Sequence, residues 1–560
     1  MPEAATESDC NGGARRRSSV LIRSRIVRRA SLLVAFLGVT HRASGQLPPS
    51  PVPLSNTEDA RTLPRGTVLL RVLNVWTRVD EVYDAAADSA HRLHPLGDAF
   101  SASQLGTRQF PGLAAAESAL RVLTGQPAIS LNLGQMFATA DTRMVTTPIS
   151  LSYGVSNRLT IGAMVPVVQT HTTVFVELNP RRLGTSTGAN VGPNPAQLGF
   201  GQAQSTNQVL LDALNGAKGA LQNYIASCNA SGNCSAQSVA QARQSLGQDT
   251  LFASAVQILY GTNAQASLFA PLGTAQDAVV GQLTTLQNTI NALLGSSFTF
   301  GAPAKANAPA ALFELRQLAT AAPGVALDSL GSPDRVNIGD VEISALFKLL
   351  DGFSDTTRGL KVRGTVRGVL RLGTGSPPSG TIPFEVGTGT RQTSADGGAL
   401  FDVRLGRLMT TVGGHYTTYF TSAPVARLPN SDYALFPLDV PVAGSWREGD
   451  ALQVEATPRI QLTEYFTFHG AYAMRHQAAS RYTSPDAVAL PLFAASTEQR
   501  VGVGFSYSTI ARYARGRSSV PLELFFTHLE TIAATGGLTP KYNRDQIELR
   551  IYYRLRRGGR

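Results

Sequence analysis

The sequence predicts an all-β protein, an antiparallel transmembrane β-barrel of about 12 strands with a helical insertion between strands. Three observations support this fold class. Apolar and polar residues alternate through many short segments, so one face of each strand suits lipid and the other suits water. Charged residues make up only 16% of the 560-residue chain, against about 25% in soluble domains. No apolar run is long enough to form a spanning helix.

The first 45 residues resemble a secretory signal peptide. An Arg-rich region precedes an apolar run at 30–39, and the small residues Ala43, Ser44 and Gly45 form a suitable cleavage site before Gln46. We expect residues 1–45 to be removed during export, which leaves the protein in the outer membrane of a bacterial cell. A retained anchor and a twin-arginine signal are the alternatives, and a later translation start would also fit the long basic region.

The alternation and its interruptions divide the chain into five segments: 1–45 (signal peptide), 46–127 (N-terminal segment with linker and short helix), 128–170 (first barrel strands), 171–337 (helical extracellular insert) and 338–560 (remaining barrel strands). Within the second segment, a Pro-rich linker precedes an apolar strand candidate at 66–78. A short helix is predicted at 112–123.

Helical periodicity in the insert places Leu210, Leu214 and Leu221 on one face of a helix. Such amphipathic helices pack against one another, or they contact lipid or a partner. Cys228 and Cys234 lie in a turn-rich loop, and export to an oxidising compartment favours a disulfide between them. Two free thiols are the alternative. A metal site is not expected, because no His or further Cys lies nearby.

Connection lengths support a membrane barrel, in which short periplasmic turns alternate with long outer loops. When the C-terminus is placed in the periplasm, every inner connection from 154–157 to 509–520 is shorter than its outer neighbours. Ten strands are fixed in this way. Two more come from a separate strand at 128–138, or from 66–78 followed by one long strand at 128–153. Fourteen strands are the alternative if a further pair exists.

The strand at 361–372 carries a row of arginines on one face, and the terminal strand at 546–556 alternates in the same way. Rows of charge suit a polar lumen better than a soluble core. The predicted lumen-lining residues are Glu342, Arg363, Arg367, Arg371, Arg404, Glu455, Arg459, His469, Arg475, Glu548 and Arg550. The arginines form an anion-attracting constriction, or they pair with lumenal carboxylates and fill the lumen. His415 and His469 are proton-sensitive lumenal groups, or solvated side chains.

Three motifs resemble a family of outer-membrane proteins. The run from Tyr153 to Gly162 is similar to the family's Tyr-Gly-(Leu/Val)-(Thr/Ser)-(Asp/Asn)-Arg-Leu segment. The run from Ile338 to Ile343 resembles its Gly-(Leu/Ile)-Gly-Asp strand start, and Leu372 to Gly375 resembles its Leu-Pro-Thr-Gly strand end. This family is identified as transporters of the meta-pathway of phenol degradation. The resemblance implies a barrel that takes up aromatic substrates, although the helical insert departs from the family's shorter loop.

Two functions fit these observations. One is an outer-membrane channel or transporter for passive uptake of small organic solutes, hydrophobic or aromatic in character. The other is a non-transporting surface barrel that anchors the helical insert as an adhesion or interaction module. The sequence shows no nucleophile–base pair, Walker-type phosphate loop or His-Glu-x-x-His motif, so we expect no enzyme activity, catalytic residue, cofactor or metal.

The expected partners are outer-membrane lipid, small organic solutes and the barrel-assembly machinery that inserts such proteins. Nucleic acid is not expected. The formal net charge of +11 includes eight Arg against three acidic residues in the predicted signal peptide, and the remaining bases are spread along the strands. The sequence leaves the substrate, the gating and the oligomeric state open.

Overall fold

The computed structural model describes residues 58–83, 93–98, 101, 103–107, 113–178, 189–263, 266–309, 332–354, 359–378, 386–422, 425–426, 442–443, 445–483, 494–537 and 539–555. All of these residues belong to one unit, Arg42–Arg560. The predicted signal peptide at 1–45 lies outside the described residues.

Twelve antiparallel strands form a closed barrel, which confirms the predicted fold class. The strands are β1 Thr67–Val79, β2 Met136–Gly154, β3 Leu159–Leu178, β4 Ser332–Ile338 with Val341–Asp351, β5 Leu360–Leu372, β6 Ser394–Leu405, β7 Leu408–Tyr419, β8 Ala451–Gln461, β9 Phe466–Gln477, β10 Ser496–Ser508, β11 Leu522–Thr535 and β12 Asn543–Arg554. Each strand pairs with its sequence neighbours, and β12 pairs with β1 to close the sheet. Closure satisfies the backbone groups that an edge strand would expose to lipid.

The faces of the strands follow the predicted alternation. Phe347, Val503 and Ile547 point outward and are 44%, 54% and 41% exposed, whereas Thr365 and Glu548 point inward and are 0% and 1% exposed. Large apolar side chains cover the outer surface of every one of these strands, and water would solvate such a surface poorly. The barrel therefore has the outer surface of a membrane-spanning protein.

The barrel begins earlier in the chain than the predicted segments placed it. Strand β1 lies inside residues 46–127, the segment assigned to precede the barrel, and the pattern at 128–153 is realised as the long strand β2. The prediction of a separate upward strand at 128–138 is therefore wrong. Strands β3 and β4 also extend into the predicted insert. Strand β3 continues past residue 170 because β2 pairs with it as far as Leu178, and β4 begins before residue 338 because its first part pairs with β3.

The connections divide the barrel into two ends. We call the end formed by 155–158, 352–359, 406–407, 462–465 and 509–521 the short-turn end, and the opposite end the long-loop end. The prediction that every long-loop connection is longer than its short-turn neighbours is wrong at one position. Strand β11 continues to Thr535, so the long-loop connection 536–542 is shorter than 509–521. The reason is that residues 531–535 of β11 continue to pair with β10 after the pairing with β12 has ended at Glu530.

Pro166 lies within β3 rather than at the predicted strand end or bulge. The irregularity falls on the neighbouring strand, where Gly339 and Asp340 interrupt β4 beside Pro166. The N–H of Gly339 donates to the Pro166 carbonyl at 2.8 Å. Because proline lacks an N–H, the break in β4 falls where the ladder would lack a donor.

The helices are α1 Ala114–Thr124, α2 Gly201–Ser231, α3 Ala236–Tyr260, α4 Thr274–Leu294 and α5 Ile510–Ala514. Helices α2, α3 and α4 bury their apolar faces against one another and against α1, as one of the two predicted interpretations requires. The predicted disulfide joins Cys228, near the end of α2, to Cys234 ahead of α3, with 5.3 Å between the Cα atoms. Among the described residues, no helix is both long and apolar enough to cross a membrane.

Short elements complete the fold. They are a 3-10 helix at Gly352–Ser354 and the strands Glu81–Tyr83, Leu93–Pro95, Leu131–Asn132, Ala189–Pro193, Phe269–Pro271, Val425–Ala426, Val442–Ala443, Ser445–Arg447, Arg481–Thr483 and Thr539–Pro540.

The main apolar core lies at the long-loop end. Inward-facing side chains of the β2–β3 hairpin, among them Met136 and Val176, belong to the same buried cluster as Leu214 of α2. Val386 and Tyr542, from two other long-loop connections, join this cluster. The helical insert therefore packs onto the inner face of the β2–β3 hairpin and covers this end of the barrel.

Asp249 on α3 is a buried carboxylate without a partner. It is 0% exposed, and neither carboxylate oxygen has a hydrogen-bond donor among the described residues. Burial raises the pKa of Asp249 to about 7, although Lys218 acts in the opposite direction. The folded insert therefore binds a proton more tightly than the unfolded chain does.

We predict that Asp249→Asn removes a pH dependence of the insert's stability. Because the folded pKa is raised, the stabilisation by the bound proton is complete below about pH 4 and is lost as pH rises through 7. Three pKa units correspond to about 4 kcal/mol as an upper bound. Thermal unfolding of the helical circular dichroism signal at pH 5 and pH 8 measures the effect.

The exposed Asp212 on α2 supplies the matched control. Asp212→Asn leaves the pH dependence of the wild-type protein intact. The same pH dependence in Asp249→Asn would contradict the assignment.

Candidate functional site

The lumen contains a network of paired charges. On β5, Arg363 Nε donates to Asp402 Oδ2 at 3.1 Å, and Arg371 Nε donates to Glu342 Oε1 at 2.9 Å. Arg367, between them, pairs with a carboxylate from outside the predicted strands, as described below. The arginine row therefore meets carboxylates on neighbouring strands, as the lumen-filling interpretation predicts.

A second group of charges lies where β11, β12 and β1 meet. Arg550 Nε donates to Glu548 Oε1 at 2.7 Å, and its guanidinium lies 4.5 Å above the ring of Phe525. Glu548 also pairs with Arg71 of β1. Arg550 and Glu548 are 5% and 1% exposed, so this group is buried inside the barrel. The register of β1 against β12 sets Arg71 opposite Arg550, which brings both arginines to the same carboxylate.

The remaining predicted residues divide into buried and exposed positions. His469 is 2% exposed and its Nε2 lies 2.9 Å from Thr527 Oγ1, so it is enclosed rather than solvated. Glu455 accepts from Gln453 at 3.3 Å. Arg404 is exposed at the short-turn end, where its Nε donates to a backbone carbonyl. Arg404 therefore stands apart from the network. The other predicted positions are Arg459, which donates to the carbonyl of Glu58, and Arg475, which donates to the hydroxyl of Tyr419.

His415 faces the lumen and has a carboxylate partner. Its Nδ1 lies 2.6 Å from Asp396 Oδ2, and Thr417 Oγ1 donates to the same oxygen at 2.7 Å. Arg367 approaches the other oxygen of Asp396 at 3.7 Å. His415 is therefore held within the network, in place of the solvated side chain that the sequence left as an alternative.

The residues that precede β1 run inside the barrel. We call residues 58–66 the lumenal segment. Glu58 pairs with Arg367, lies 3.6 Å from Arg71, and its carbonyl accepts from Arg459 Nη2 at 3.1 Å. The N–H of Ala60 donates to Asp402 Oδ2 at 3.1 Å. The lumenal segment thus supplies an anionic group to the middle of the arginine row.

The lumenal segment continues toward the short-turn end. Asp59 and Glu523 both pair with Arg61, at 2.8 and 3.2 Å. The N–H of Leu63 donates to Thr160 Oγ1 at 2.8 Å. The chain then reverses at Gly66, whose φ of 78° favours glycine. The reversal feeds directly into β1, so the segment occupies the lumen at the short-turn end.

A mixed cavity lies beyond Glu58 toward the long-loop end. It encloses about 90 Å³, less than the roughly 150 Å³ in which an apolar cavity holds benzene. Its lining includes Arg371, Glu342 and His415, together with the apolar or aromatic Met164 and Tyr419. A ring-sized solute therefore requires side chains or the lumenal segment to move.

Sequence reasoning missed the charges of the lumenal segment. Glu58, Asp59 and Arg61 lie outside any alternating strand, so no periodic pattern marks them. Their one signal is a cluster of charges immediately before an apolar strand candidate. Arg544 was also missed. It lies two residues before Gln546 on the same strand, so extending the alternation of β12 toward its start would have placed it on the lumenal face.

No family model and no curated protein sequence match the chain. Among solved structures, it is similar to an outer membrane channel from Pseudomonas putida F1, with 9% identity, 88% of this chain and 98% of the other covered, and a TM-score of 0.39. It is also similar to the Pseudomonas putida toluene transporter TodX (12% identity, 92% and 96% covered, TM-score 0.23). A third is the translocator domain of autotransporter NalP from Neisseria meningitidis (7%, 95% and 98%, 0.27).

These similarities involve both channels and an autotransporter domain. At such identities and TM-scores they carry no argument about the solute or the mechanism of this chain. Membership of the family of phenol meta-pathway transporters, which the sequence motifs suggest, stays a prediction.

We predict that Asp402→Asn releases the lumenal segment. Asp402 is 0% exposed and binds Arg363, Thr411 and the N–H of Ala60, so removing its charge leaves Arg363 buried without a carboxylate. Such losses typically cost about 3–5 kcal/mol. Limited trypsin digestion, read by mass spectrometry, should show faster cleavage after Arg61 and Arg65.

Asp545→Asn is the control, because Asp545 is an exposed carboxylate on the same barrel. It should digest as the wild type does. Equal cleavage rates in Asp402→Asn and wild type would rule out Asp402 as the anchor.

Proposed function

We propose that this chain is an outer-membrane channel for passive uptake of small organic solutes, hydrophobic or aromatic in character. The observation that carries the proposal is a closed barrel whose polar lumen is occupied by a separate segment rather than by strand side chains alone. A barrel that served only as an anchor would need no removable element in its lumen. Insertion into the membrane would depend on the barrel-assembly machinery.

The lumenal segment is held less firmly than the wall around it. The strands share continuous backbone ladders, whereas residues 58–63 are attached mainly through side-chain ion pairs and single hydrogen bonds. Withdrawing the segment therefore breaks no strand pairing of the barrel, and water that enters the lumen would solvate the released charges. Withdrawal of the segment would open a path, and a solute would then move down its gradient without a cofactor.

The residues that line the cavity suit a solute with both apolar and polar parts. Leu73, Met164 and Val369 provide apolar contact, while Arg371 and Glu342 provide polar groups in the same space. Ligand sites commonly combine apolar walls with a few placed polar groups. The family resemblance of the sequence motifs also favours aromatic substrates.

The alternative function, a surface barrel that presents the insert, is less well supported. The insert buries apolar residues against the inner face of the β2–β3 hairpin, so it covers the mouth instead of projecting from it.

Replacing residues 179–331 with a short Gly-Ser linker separates the two functions. If the insert caps the channel, solute permeability should increase after the replacement. If the insert is an anchored interaction module, partner binding should be lost while permeability stays unchanged.

We predict that Glu58→Gln combined with Asp59→Asn increases solute passage. Glu58 pairs with Arg367 and Asp59 lies 4.0 Å from Arg459, so these two carboxylates hold the lumenal segment against the wall, and neutralising them weakens the plug. Single-channel conductance should rise several-fold in planar bilayers, and liposomes should swell faster in phenol.

Glu464→Gln serves as the control, since Glu464 forms an exposed pair with Arg515 in the turns of the short-turn end. It should conduct as the wild type does. An absence of solute flux in both the wild type and the double variant would refute the channel function.

A further inference from the structure

Three arginines lie close together on the inner face at the long-loop half of the barrel. Arg475 is on β9, Arg500 on β10 and Arg544 on β12. Arg500 is opposite Thr531 of β11, whose N–H donates to the carbonyl of Tyr542 at 2.9 Å. Neighbouring strands lie about 4.8 Å apart, so long side chains from these strands reach a common region. Arg475 also lines the lumenal cavity together with Arg371 of the arginine row on β5.

These arginines carry more positive charge than the carboxylates around them neutralise. Arg500 Nη2 donates to Glu498 Oε1 at 3.0 Å, and Arg475 lies 3.9 Å from Glu448. Burial raises the pKa of Glu448. Within the described part of the chain, no carboxylate lies within ion-pair distance of Arg544, and its buried Nε has no acceptor.

Arg544 and Arg500 are 3% and 4% exposed, so water does not replace the missing counter-charge. The guanidinium of Arg544 lies 4.4 Å above the ring of Tyr542, and this cation–π contact stabilises a buried charge only in part. The Nε of Arg500 is also without an acceptor among the described residues. Three guanidinium groups near two carboxylates leave a place for one further anion.

Aromatic side chains border the same region. Arg475 Nη2 donates to the hydroxyl of Tyr419 at 3.3 Å, and Arg475 and Tyr419 both line the lumenal cavity. The group therefore meets the path of the proposed channel at Arg475 and Tyr419, whereas Arg500, Arg544 and Tyr542 are not part of the cavity lining. Tyr419 and Tyr542 are 4% and 8% exposed, which provides a dry aromatic wall beside the guanidinium groups.

We propose that Arg475, Arg500 and Arg544 bind the carboxylate of an aromatic acid, whose ring lies against Tyr419 and Tyr542. This inference depends on the proposed channel function and narrows its substrate class to organic anions. The carboxylate supplies the counter-charge that Arg544 lacks. A neutral phenol gains the aromatic contact alone.

Isothermal titration of the detergent-solubilised mature protein with benzoate tests the site. Wild type should bind benzoate, and Arg544→Gln should weaken binding by about ten-fold or more, as expected for loss of a charge-assisted contact. Arg544→Lys keeps the charge and should retain most of the affinity. Arg517→Gln, an exposed arginine at the short-turn end, should bind as the wild type does.

Heat-modifiable gel migration checks that each variant folds, and Arg500→Gln gives a second test if Arg544→Gln does not. Equal benzoate affinity in wild type and the folded Gln variants, or no binding by wild type, would overturn the site. Inorganic phosphate binding as tightly as benzoate would overturn the aromatic specificity. Phenol flux into proteoliposomes is measured in parallel. An absence of flux would contradict the channel function, whereas the titration tests the binding site independently.

Discussion

Closure of the sheet is the constraint on which the rest of the structure depends. A lipid environment offers no partners for backbone N–H and C=O groups, so the strands must satisfy one another around a complete circle. The pairing of β12 with β1 provides this closure. Once the circle is closed, alternate side chains have only two destinations, the bilayer and the lumen. The apolar outer surface and the charged interior are both consequences of that geometry.

The charged interior creates a second constraint, because buried guanidinium groups need counter-charges. The barrel meets this need in two ways. Carboxylates on adjacent strands pair with Arg363 and Arg371, and Glu548 on the same strand pairs with Arg550. Glu58 of the lumenal segment pairs with Arg367, which attaches the segment to the barrel wall. The same electrostatics that stabilise the barrel thus close it at the short-turn end.

The two ends of the barrel are closed by different physics. Ion pairs and hydrogen bonds hold the lumenal segment, whereas an apolar core of helices and strand ends covers the long-loop end. Ion pairs respond to salt and to local hydration, while a packed core opens only by losing buried area. This difference places the easier opening at the short-turn end. It also makes the helical insert a structural part of the barrel.

The local pattern was enough to determine several features. The faces of β5 and β12 follow from residue type and spacing, while the disulfide between Cys228 and Cys234 and the packing of the amphipathic helices are each one of the alternatives that the sequence left open. These features depend on neighbours in the chain, and side-chain alternation with a period of two is a local property. The closed barrel follows as well, since no other arrangement satisfies so many two-faced strands in lipid.

Only the tertiary structure decided which charges meet. Glu58 reaches Arg367, and Asp402 binds the N–H of Ala60, across more than 300 positions of sequence. Such contacts depend on the register of twelve strands and on which segment enters the lumen, and neither is encoded in a local pattern. The same is true of Arg544, whose position relative to carboxylates is set by strand stagger. The sequence determined a barrel with a charged interior, and the assembled fold determined how that interior is closed.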